Sequence, residues 1–139
     1  MLELGGDRVS DERVYYHVVF TVTRAKPVFL NPEIDARFKA LAHESATQQG
    51  WRLVELETMP NHVHLLIEKA PWQDLSQIVG RLKGMSARRI LEQFEWLRGE
   101  LNSYHFWTRG LHYVRHTEAL LPTVRAYIRN QRRAGGLAE

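Results

Sequence analysis

Two histidines separated by one residue have the clearest chemical potential in this chain. His62 and His64 lie in residues 59–68, Met-Pro-Asn-His-Val-His-Leu-Leu-Ile-Glu, where apolar residues alternate with the histidines. This alternation predicts a β-strand with both imidazoles on one side and their Cα atoms about 6.6 Å apart. Such a pair can bind one metal ion, although hydrogen-bonded histidines are the alternative. A metal site would need a third protein ligand from elsewhere in the chain.

Composition limits the kind of metal and partner. The chain has no cysteine, which excludes disulfides, thiolate zinc sites and cysteine nucleophiles. Nitrogen and oxygen ligands suit Mg²⁺, Mn²⁺ or Zn²⁺. The net charge of +3 and the clustering of basic residues favour phosphate-rich partners. No apolar run approaches the roughly 20 residues of a membrane span, and we expect a cytoplasmic protein without a membrane partner.

The elements that position the histidines follow from periodicity and from helix-capping residues. Asn31-Pro32 is typical of a helix start and Gly50 of a helix end. Pro60-Asn61 predicts the turn of an antiparallel hairpin. In chain order we predict a strand over 14–23, a helix over 31–50, strands over 51–58 and 62–68, a helix from Asp74, a short strand or hairpin within 99–117 and a helix over 118–133.

This order of elements predicts an α+β fold. A split β-α-β arrangement on an antiparallel sheet, with helices on one face, is ferredoxin-like, the architecture also found in RRM domains. The first and third strands are then central, so His62 and His64 lie mid-sheet. The C-terminal helix carries Tyr127. We expect one domain over 1–139, with residues 1–12 as a loose leader.

Several charged side chains have two interpretations. The basic run of the second long helix, which includes Lys83, Arg88 and Arg89, is either a solvated face or a contact for nucleic-acid backbone phosphates. Glu55 and Glu57 are either solvated strand residues or additional metal ligands. His17 is interpreted as a packed or hydrogen-bonded histidine of the first strand.

The last predicted helix combines a tyrosine with basic residues. Tyr127 and Gln131 are four residues apart and therefore share a helix face. Arg125 and Arg129 lie close by without an acid between them. Residues alone leave this as either an ordinary amphipathic basic helix or a tyrosine placed to meet a phosphate.

Five stretches in this order resemble the single-tyrosine His-hydrophobic-His transposases of the IS200/IS605 insertion sequences. The resemblance covers about residues 14–133. The matching stretches are His-Val-Val-Phe-Thr at 17–21, Met-Pro-Asn-His-Val-His-Leu-Leu at 59–66, Leu-Lys-Gly and Ser-Ala-Arg-Arg within 82–89, Phe-Trp-Thr-Arg-Gly at 106–110, and 127–131 from Tyr-Ile to Gln.

The resemblance implies a reaction and a set of site residues. Tyr127 matches the nucleophile, and His62, His64 and Gln131 match the ligands of a divalent metal, Mg²⁺ or Mn²⁺. The implied enzyme is a DNA transposase that cuts and rejoins single-stranded DNA through a 5′-phosphotyrosine intermediate. Its implied partners are subterminal DNA hairpins and a second copy of the chain, in a homodimer with active sites completed in trans. The predicted DNA contacts are Lys83, Arg88, Arg89, Arg125 and Arg129.

Two alternatives remain at this point. A repeat-associated tyrosine nuclease adopted by the host would use the same residues on palindromic repeats, and only the genomic neighbourhood separates it from a transposase. A non-catalytic nucleic-acid-binding module on a ferredoxin-like scaffold would bind without cleaving, and it would not depend on Tyr127.

Overall fold

Four antiparallel strands form one sheet in the order β2-β3-β1-β4. The computed structural model describes residues 12–134. This strand order is that of a ferredoxin-like fold, and it confirms the predicted α+β class with the first and third strands in the centre. The elements are β1 (Val14–Thr21), α1 (Pro32–Gln49), β2 (Arg52–Met59), β3 (His62–Lys69), α2 (Leu75–Gln93), α3 (Leu97–Leu101), β4 (His112–His116), α4 (Leu121–Arg129) and α5 (Gln131–Ala134).

The two faces of the sheet have different covers. Val63, Leu65 and Ile67 of β3 are fully buried in the main core, which also contains apolar residues of α1 and α2. The alternate residues, among them His64 and Leu66, point to the opposite face. There Leu66 packs against the C-terminal helix α4. The helices of the main core therefore stabilise the sheet, and α4 lies on the face of the histidines.

Helix α1 begins and ends where its capping residues predict. The Asn31 side chain accepts hydrogen bonds from the backbone N–H groups of Glu33 (2.9 Å) and Ile34 (3.3 Å). Pro32 occupies the first turn, and Gly50 ends the helix with a left-handed φ of 75°. A side chain at Gly50 would be strained in that conformation. These local signals confirm the predicted boundaries.

The hairpin of β2 and β3 forms around Pro60-Asn61 as predicted, but its register contains an irregularity. The pairing shifts between Leu53 and Glu55. As a result Val54 packs against the apolar cluster under α4 and its neighbour Glu55 bonds to the same helix. The strict alternation predicted for β2 is wrong at this point, because a bulge places one extra residue in the strand.

The C-terminal segment is divided more finely than its periodicity predicts. A 3₁₀ turn (Glu118–Leu120) precedes α4, and Asn130 separates α4 from α5. Strand β1 ends at Thr21, two residues before its predicted end. The leader is predicted over residues 1–12, and all of it except Glu12 lies outside the described residues. Single-domain organisation stays a prediction. Within the described part of the chain, no helix is long and apolar enough to cross a membrane.

Candidate active site

His62 and His64 bring two ring nitrogens together on β3. Their Nε2 atoms are 3.2 Å apart, and the ring centroids are 4.9 Å apart. The prediction that both imidazoles share one side of a strand is therefore confirmed in its geometry. His64 is buried at 6% exposure, so it needs a polar partner in this position.

Each of these histidines has a further hydrogen-bond partner at its other nitrogen. His62 Nδ1 lies 2.7 Å from Asn61 Oδ1, and His64 Nδ1 lies 3.0 Å from His17 Nε2. An Nδ1–H group on His62 can donate to the Asn61 oxygen, which leaves the His62 Nε2 lone pair free. The same tautomer of His64 donates to His17. The two outer contacts thus favour lone pairs at both Nε2 atoms.

Burial keeps these imidazoles neutral. It lowers the pKa of His64, with help from nearby His62 and His17, from 6.5 to about 4. Burial also lowers the pKa of His62 and, together with nearby His116, that of His17. A neutral imidazole is the form that binds a metal ion.

The donor set fits a divalent metal ion at the two Nε2 atoms. With metal–nitrogen distances of about 2.1 Å, a separation of 3.2 Å corresponds to a ligand angle of about 100°, between octahedral and tetrahedral values. In residues 12–134 no group of three or more His, Asp or Glu side chains is arranged to hold a metal. Within these residues, a third ligand would therefore be of another type, such as the amide of Gln131. The Gln131 Nε2 group donates to the Tyr127 carbonyl (3.1 Å), and its amide oxygen is the atom suited to a metal.

Tyr127 of α4 lies over the histidines of its own chain. Its ring centroid is 6.0 Å from that of His17 and 6.3 Å from that of His64, both edge-on. The tyrosine is nevertheless 55% exposed. The hydroxyl-bearing side chain is therefore accessible to a substrate while its ring contacts the imidazoles.

Helix α4 is held on the sheet by a small apolar cluster. Val124 and Ile128, at 7% and 0% exposure, pack against Leu66 of β3, and partly buried Leu121 and Val54 surround them. These residues point toward the sheet from successive turns of the helix. The apolar stripe therefore determines where Tyr127 lies.

Polar contacts reinforce this attachment. The Glu55 carboxylate accepts hydrogen bonds from Arg125 Nε (3.2 Å) and from an Arg129 guanidinium nitrogen (3.1 Å). Arg132 donates to the carbonyl (2.8 Å) and hydroxyl (3.0 Å) oxygens of Thr58. Glu55 thus serves as an anchor for α4. This contact accounts for its charge without a metal, and Glu57 likewise pairs with Lys39 at 3.5 Å.

The predicted DNA contacts lie on two sides of the sheet. Arg88 and Arg89 belong to α2, which packs on the main-core face, whereas Arg125 and Arg129 belong to α4 on the histidine face. Arg88 is exposed, and Arg89 lies 3.6 Å from Glu44. DNA contact by these side chains stays a prediction.

Lys83 is engaged inside the protein. Its ammonium group donates to the carbonyls of Thr108 (2.8 Å) and Gly110 (2.9 Å) and lies 5.6 Å from the centre of the Phe20 ring. Burial lowers the pKa of Lys83. These contacts hold the segment before β4 against α2, and the predicted DNA contact of this lysine would compete with them.

Three histidines that the sequence left without a catalytic or metal role share the face of the site. The register pairs His17 with Val114, Val19 with His112, and Tyr15 with His116, and paired residues point to one side. The His17 ring lies 6.4 Å from that of His116. The period of β1 already put His17 on one face of its strand, but the face itself depends on pairing with β3.

Residues 12–134 leave part of this face uncovered, because α4 packs against β2 and β3. Over β1 and β4 an open trough of about 420 Å³ remains, lined by His17, Val19, Leu111, His112 and Val114 among others. Val114 is 56% exposed in the middle of its strand. The trough begins at His17 and is therefore continuous with the tyrosine and the histidine pair.

Comparison with known proteins places similar sequences in one functional group. The family described as "Transposase IS200 like" matches residues 10–131. The ISDra2 transposase TnpA of Deinococcus radiodurans is 28% identical over 130 residues, which cover 94% of this chain and 92% of that protein. The transposase for insertion sequence element IS200 of Salmonella typhimurium is 28% identical over 116 residues, or 84% of this chain and 75% of that protein.

Solved structures agree with the sequence matches. A crystal structure from Deinococcus radiodurans R1, described as that of a transposase, superposes with a TM-score of 0.70 at 30% identity and covers 86% of this chain and 92% of that one. A REP-associated tyrosine transposase bound to a REP hairpin superposes with a TM-score of 0.61 at 12% identity, covering 90% of this chain and 70% of that one. The second likeness is one of fold.

Proposed function

This chain belongs to the family of IS200-like transposases, and we propose that it cleaves and rejoins single-stranded DNA at insertion-sequence ends with Tyr127 as nucleophile. Membership confirms the family resemblance and makes the protein a DNA-processing enzyme. The observation that carries the finer proposal is the position of Tyr127. Its ring lies within 6.0 Å and 6.3 Å of the His17 and His64 rings, beside two convergent Nε2 atoms.

The proposed reaction exchanges one ester bond for another. The Tyr127 Oη atom attacks a backbone phosphorus, the bond from phosphorus to the 3′ oxygen breaks, and the tyrosine proton is replaced by a new O–P bond. The products are a 5′-phosphotyrosine and a free 3′-OH after that oxygen takes up a proton. Attack by a 3′-OH on the phosphotyrosine reverses these steps and releases Tyr127. The phosphate ester is retained throughout, so no ATP is required.

The metal site proposed for this reaction consists of His62, His64 and Gln131. Bound there, Mg²⁺ or Mn²⁺ supplies a Lewis acid that polarises the scissile phosphate and stabilises the departing 3′ oxygen. The neutral state of both histidines and the 3.2 Å separation of their Nε2 atoms support this assignment. Gln131 begins α5 four residues after Tyr127 of α4, and its amide nitrogen donates to the Tyr127 carbonyl, so the proposed ligand and the nucleophile lie close together in the chain.

The trough that residues 12–134 leave open on the site face supports an unpaired DNA strand as substrate. A strand with its phosphate at Tyr127 is blocked by α4 on the side of β2, and it can continue along the trough over β1 and β4. Apolar side chains there, such as Val19 and Val114, offer contact to base faces, which are exposed only in single strands. Duplex DNA would present its phosphates instead and leave this apolar surface unused.

We also propose that the enzyme recognises DNA hairpins near the element ends. The structurally similar REP-associated transposase is bound to a REP hairpin, and the predicted basic contacts of this chain lie on α2 and α4. Arg125 and Arg129 each use one guanidinium nitrogen on Glu55, and the remaining N–H groups are donors suited to phosphate. Arg88, exposed on α2, is suited to the same role.

The protein is proposed to work as a homodimer, with active sites completed in trans as the resemblance implies. In the single chain, Tyr127 lies over the histidines of its own β1 and β3. Mixing His64→Ala with Tyr127→Phe decides between the arrangements. A trans site assembles one intact centre in each heterodimer and restores covalent attachment, whereas a cis site leaves the mixture inactive.

The nucleophile is tested by covalent attachment of the protein to labelled single-stranded hairpin DNA from the gene's own flanks. With Mg²⁺ or Mn²⁺, wild type should give an adduct on a denaturing gel, and EDTA should abolish it. Tyr127→Phe should bind the hairpin without forming the adduct. Tyr104→Phe is the matched control, because Tyr104 is 95% exposed and does not line the trough.

The control variant should form the adduct at the wild-type rate. An adduct that persists in Tyr127→Phe would remove Tyr127 from the proposed role. Hairpin binding without an adduct in wild type would favour the non-catalytic binding module.

A further inference from the structure

His17, on another strand, contacts one of the two proposed metal-binding histidines, His62 and His64. Its Nε2 atom lies 3.0 Å from His64 Nδ1, and the two rings stack with centroids 5.2 Å apart. The contact crosses from β1 to β3, where His17 pairs with Leu66 and the neighbouring Val19 pairs with His64. His17 uses its Nε2 atom for this contact.

We propose that His17 is a positioning residue that holds the proton of His64 on Nδ1, so that the His64 Nε2 lone pair faces the metal. The inference rests on the proposed function, because it assigns His17 a role beside the same two metal-binding histidines. His17 acts through His64 and does not itself bind the metal. It accepts a hydrogen bond at Nε2 and therefore carries its own proton on Nδ1.

The reason is the two-fold choice of every neutral imidazole. A proton on Nε2 of His64 would block the atom that must bind the metal, and the ring could also rotate away from it. An acceptor at Nδ1 removes both alternatives at once. Ligand histidines in proteins are generally held by such an outer contact, and its loss weakens metal binding by about 10- to 100-fold.

The companion histidine has an equivalent arrangement, which makes the pair symmetrical in function. His62 has Asn61 Oδ1 at 2.7 Å from its Nδ1 atom. Asn61 adjoins His62 in sequence and can be found from the turn motif. His17 lies 47 residues from His64 and reaches it only through the sheet register.

The ring of His17 also lies against both His64 and the proposed nucleophile Tyr127. It stacks on His64 and meets the Tyr127 ring edge-on, with centroids 6.0 Å apart. Removal of the imidazole would therefore leave both the His64 proton and the packing of Tyr127 less defined. A substitution that retains an acceptor and a similar size separates the two effects.

The first readout needs no metal and no DNA. Long-range ¹H–¹⁵N NMR of the histidine rings distinguishes a proton on Nδ1 from one on Nε2. Wild-type His64 should carry its proton on Nδ1. In His17→Phe the proton should move to Nε2 in part or in full, whereas His17→Gln should retain the wild-type tautomer, because the glutamine oxygen occupies the place of Nε2.

The second readout is the affinity for Mn²⁺ alone, measured by electron paramagnetic resonance on metal-free protein. We expect His17→Phe to bind about 10- to 100-fold more weakly than wild type and His17→Gln to bind within about threefold of it. His43→Phe, at an exposed position of α1, is the control for an added phenylalanine and should bind as wild type does.

Each outcome bears on the inference separately from the proposed function. The role of His17 would be overturned if wild-type His64 carries its proton on Nε2, or if wild type and His17→Phe bind Mn²⁺ with equal affinity. Either result would leave the proposed metal site at His62 and His64 intact. Equal weakness of the Phe and Gln variants would also overturn it, since a general packing role would then suffice. If His17→Phe does not fold, the wild-type tautomer and the Gln variant still decide. If wild type binds Mn²⁺ no more tightly than His62→Ala does, the metal site itself would be refuted.

Discussion

Replacing Ile128 by alanine should release the tyrosine helix from a sheet that stays folded. Ile128 has 0% exposure and belongs to a buried cluster that contains only Leu66 and Val124 besides itself among the described residues. The main core lies on the other face of the sheet and does not include α4. Loss of the Ile128 side chain therefore weakens the attachment of α4 far more than the remainder of the fold.

The expected size follows from burial. An isoleucine-to-alanine change at a fully buried site costs about 2–5 kcal/mol. The ion pairs of Glu55 with Arg125 and Arg129 compensate little, because both arginine side chains are about half exposed, at 45% and 58%, and pairs of this kind contribute about 0–1 kcal/mol. A loss of about 3 kcal/mol changes the ratio of attached to released helix more than a hundredfold.

The assay compares Ile128→Ala with Ile90→Ala. Ile90 of α2 also has 0% exposure, but it lies in the main core. The two losses should be of similar size, in global free energy of unfolding for Ile90→Ala and in the local stability of α4 for Ile128→Ala. At temperatures where the sheet is folded in both variants, only Ile128→Ala should show fast hydrogen exchange in α4 and a strongly reduced rate of covalent DNA attachment.

Two results would refute this reasoning. One is unchanged hydrogen exchange in α4 of Ile128→Ala. The other is an equal loss, in the two variants at the same folded fraction, of the rate of covalent DNA attachment. That result would mean that α4 is held in the fold as firmly as α2.

Three further changes test the site and its surroundings. Glu55→Gln should weaken the attachment of α4 by about 0–1 kcal/mol, seen as a small rise in its hydrogen exchange with an unchanged melting temperature; a drop in global stability would contradict this. Lys83→Met should lower the free energy of unfolding by about 1–3 kcal/mol, since the carbonyls of Thr108 and Gly110 lose a charged donor, and urea titration would expose an error if stability were unchanged. The lowered pKa of His64, about 4 against an ordinary 6.5, means that the unfolded chain binds more protons between these values. The contribution of His64 to the free energy of unfolding should therefore be fully present above pH 6.5 and decline as the pH falls toward 4. His64→Gln should flatten that decline in urea unfolding, and an identical slope in both proteins would argue against the assignment.

Local chemistry accounts for the parts of the fold that the sequence predicts well. The Asn31 cap, the Gly50 helix end and the Pro60-Asn61 turn depend on neighbours in the chain, so their signals are complete in a short window. The alternation around His62 and His64 likewise determines that both share one face of β3. The tyrosine and glutamine four residues apart remain one turn apart despite the break at Asn130.

The parts that sequence reasoning missed depend on how distant strands align. His17 reaches His64 because β1 pairs with β3 in one register, and a shift by one residue would turn His17 to the other face. The bulge at Val54 and the anchoring of α4 on Glu55 need the same knowledge. Lys83 belonged to a basic run that is typical of a solvated face, and only the packing of the segment before β4 supplies its two carbonyl acceptors.

The two halves of the proposed site are attached to the fold with unequal strength. His62 and His64 lie on central β3, whose residues Val63, Leu65 and Ile67 are fully buried in the main core. Tyr127 lies on a helix whose principal apolar attachment is two buried side chains, worth about 3–6 kcal/mol before the entropy lost on ordering the helix is subtracted. Local opening of α4 should therefore precede global unfolding. Because Gln131 is joined to this helix through Asn130 alone, opening would remove the nucleophile and the proposed third ligand together. Metal affinity and covalent attachment should then decline together in Ile128→Ala, while the tautomer of His64, held by His17 within the sheet, should stay as in wild type.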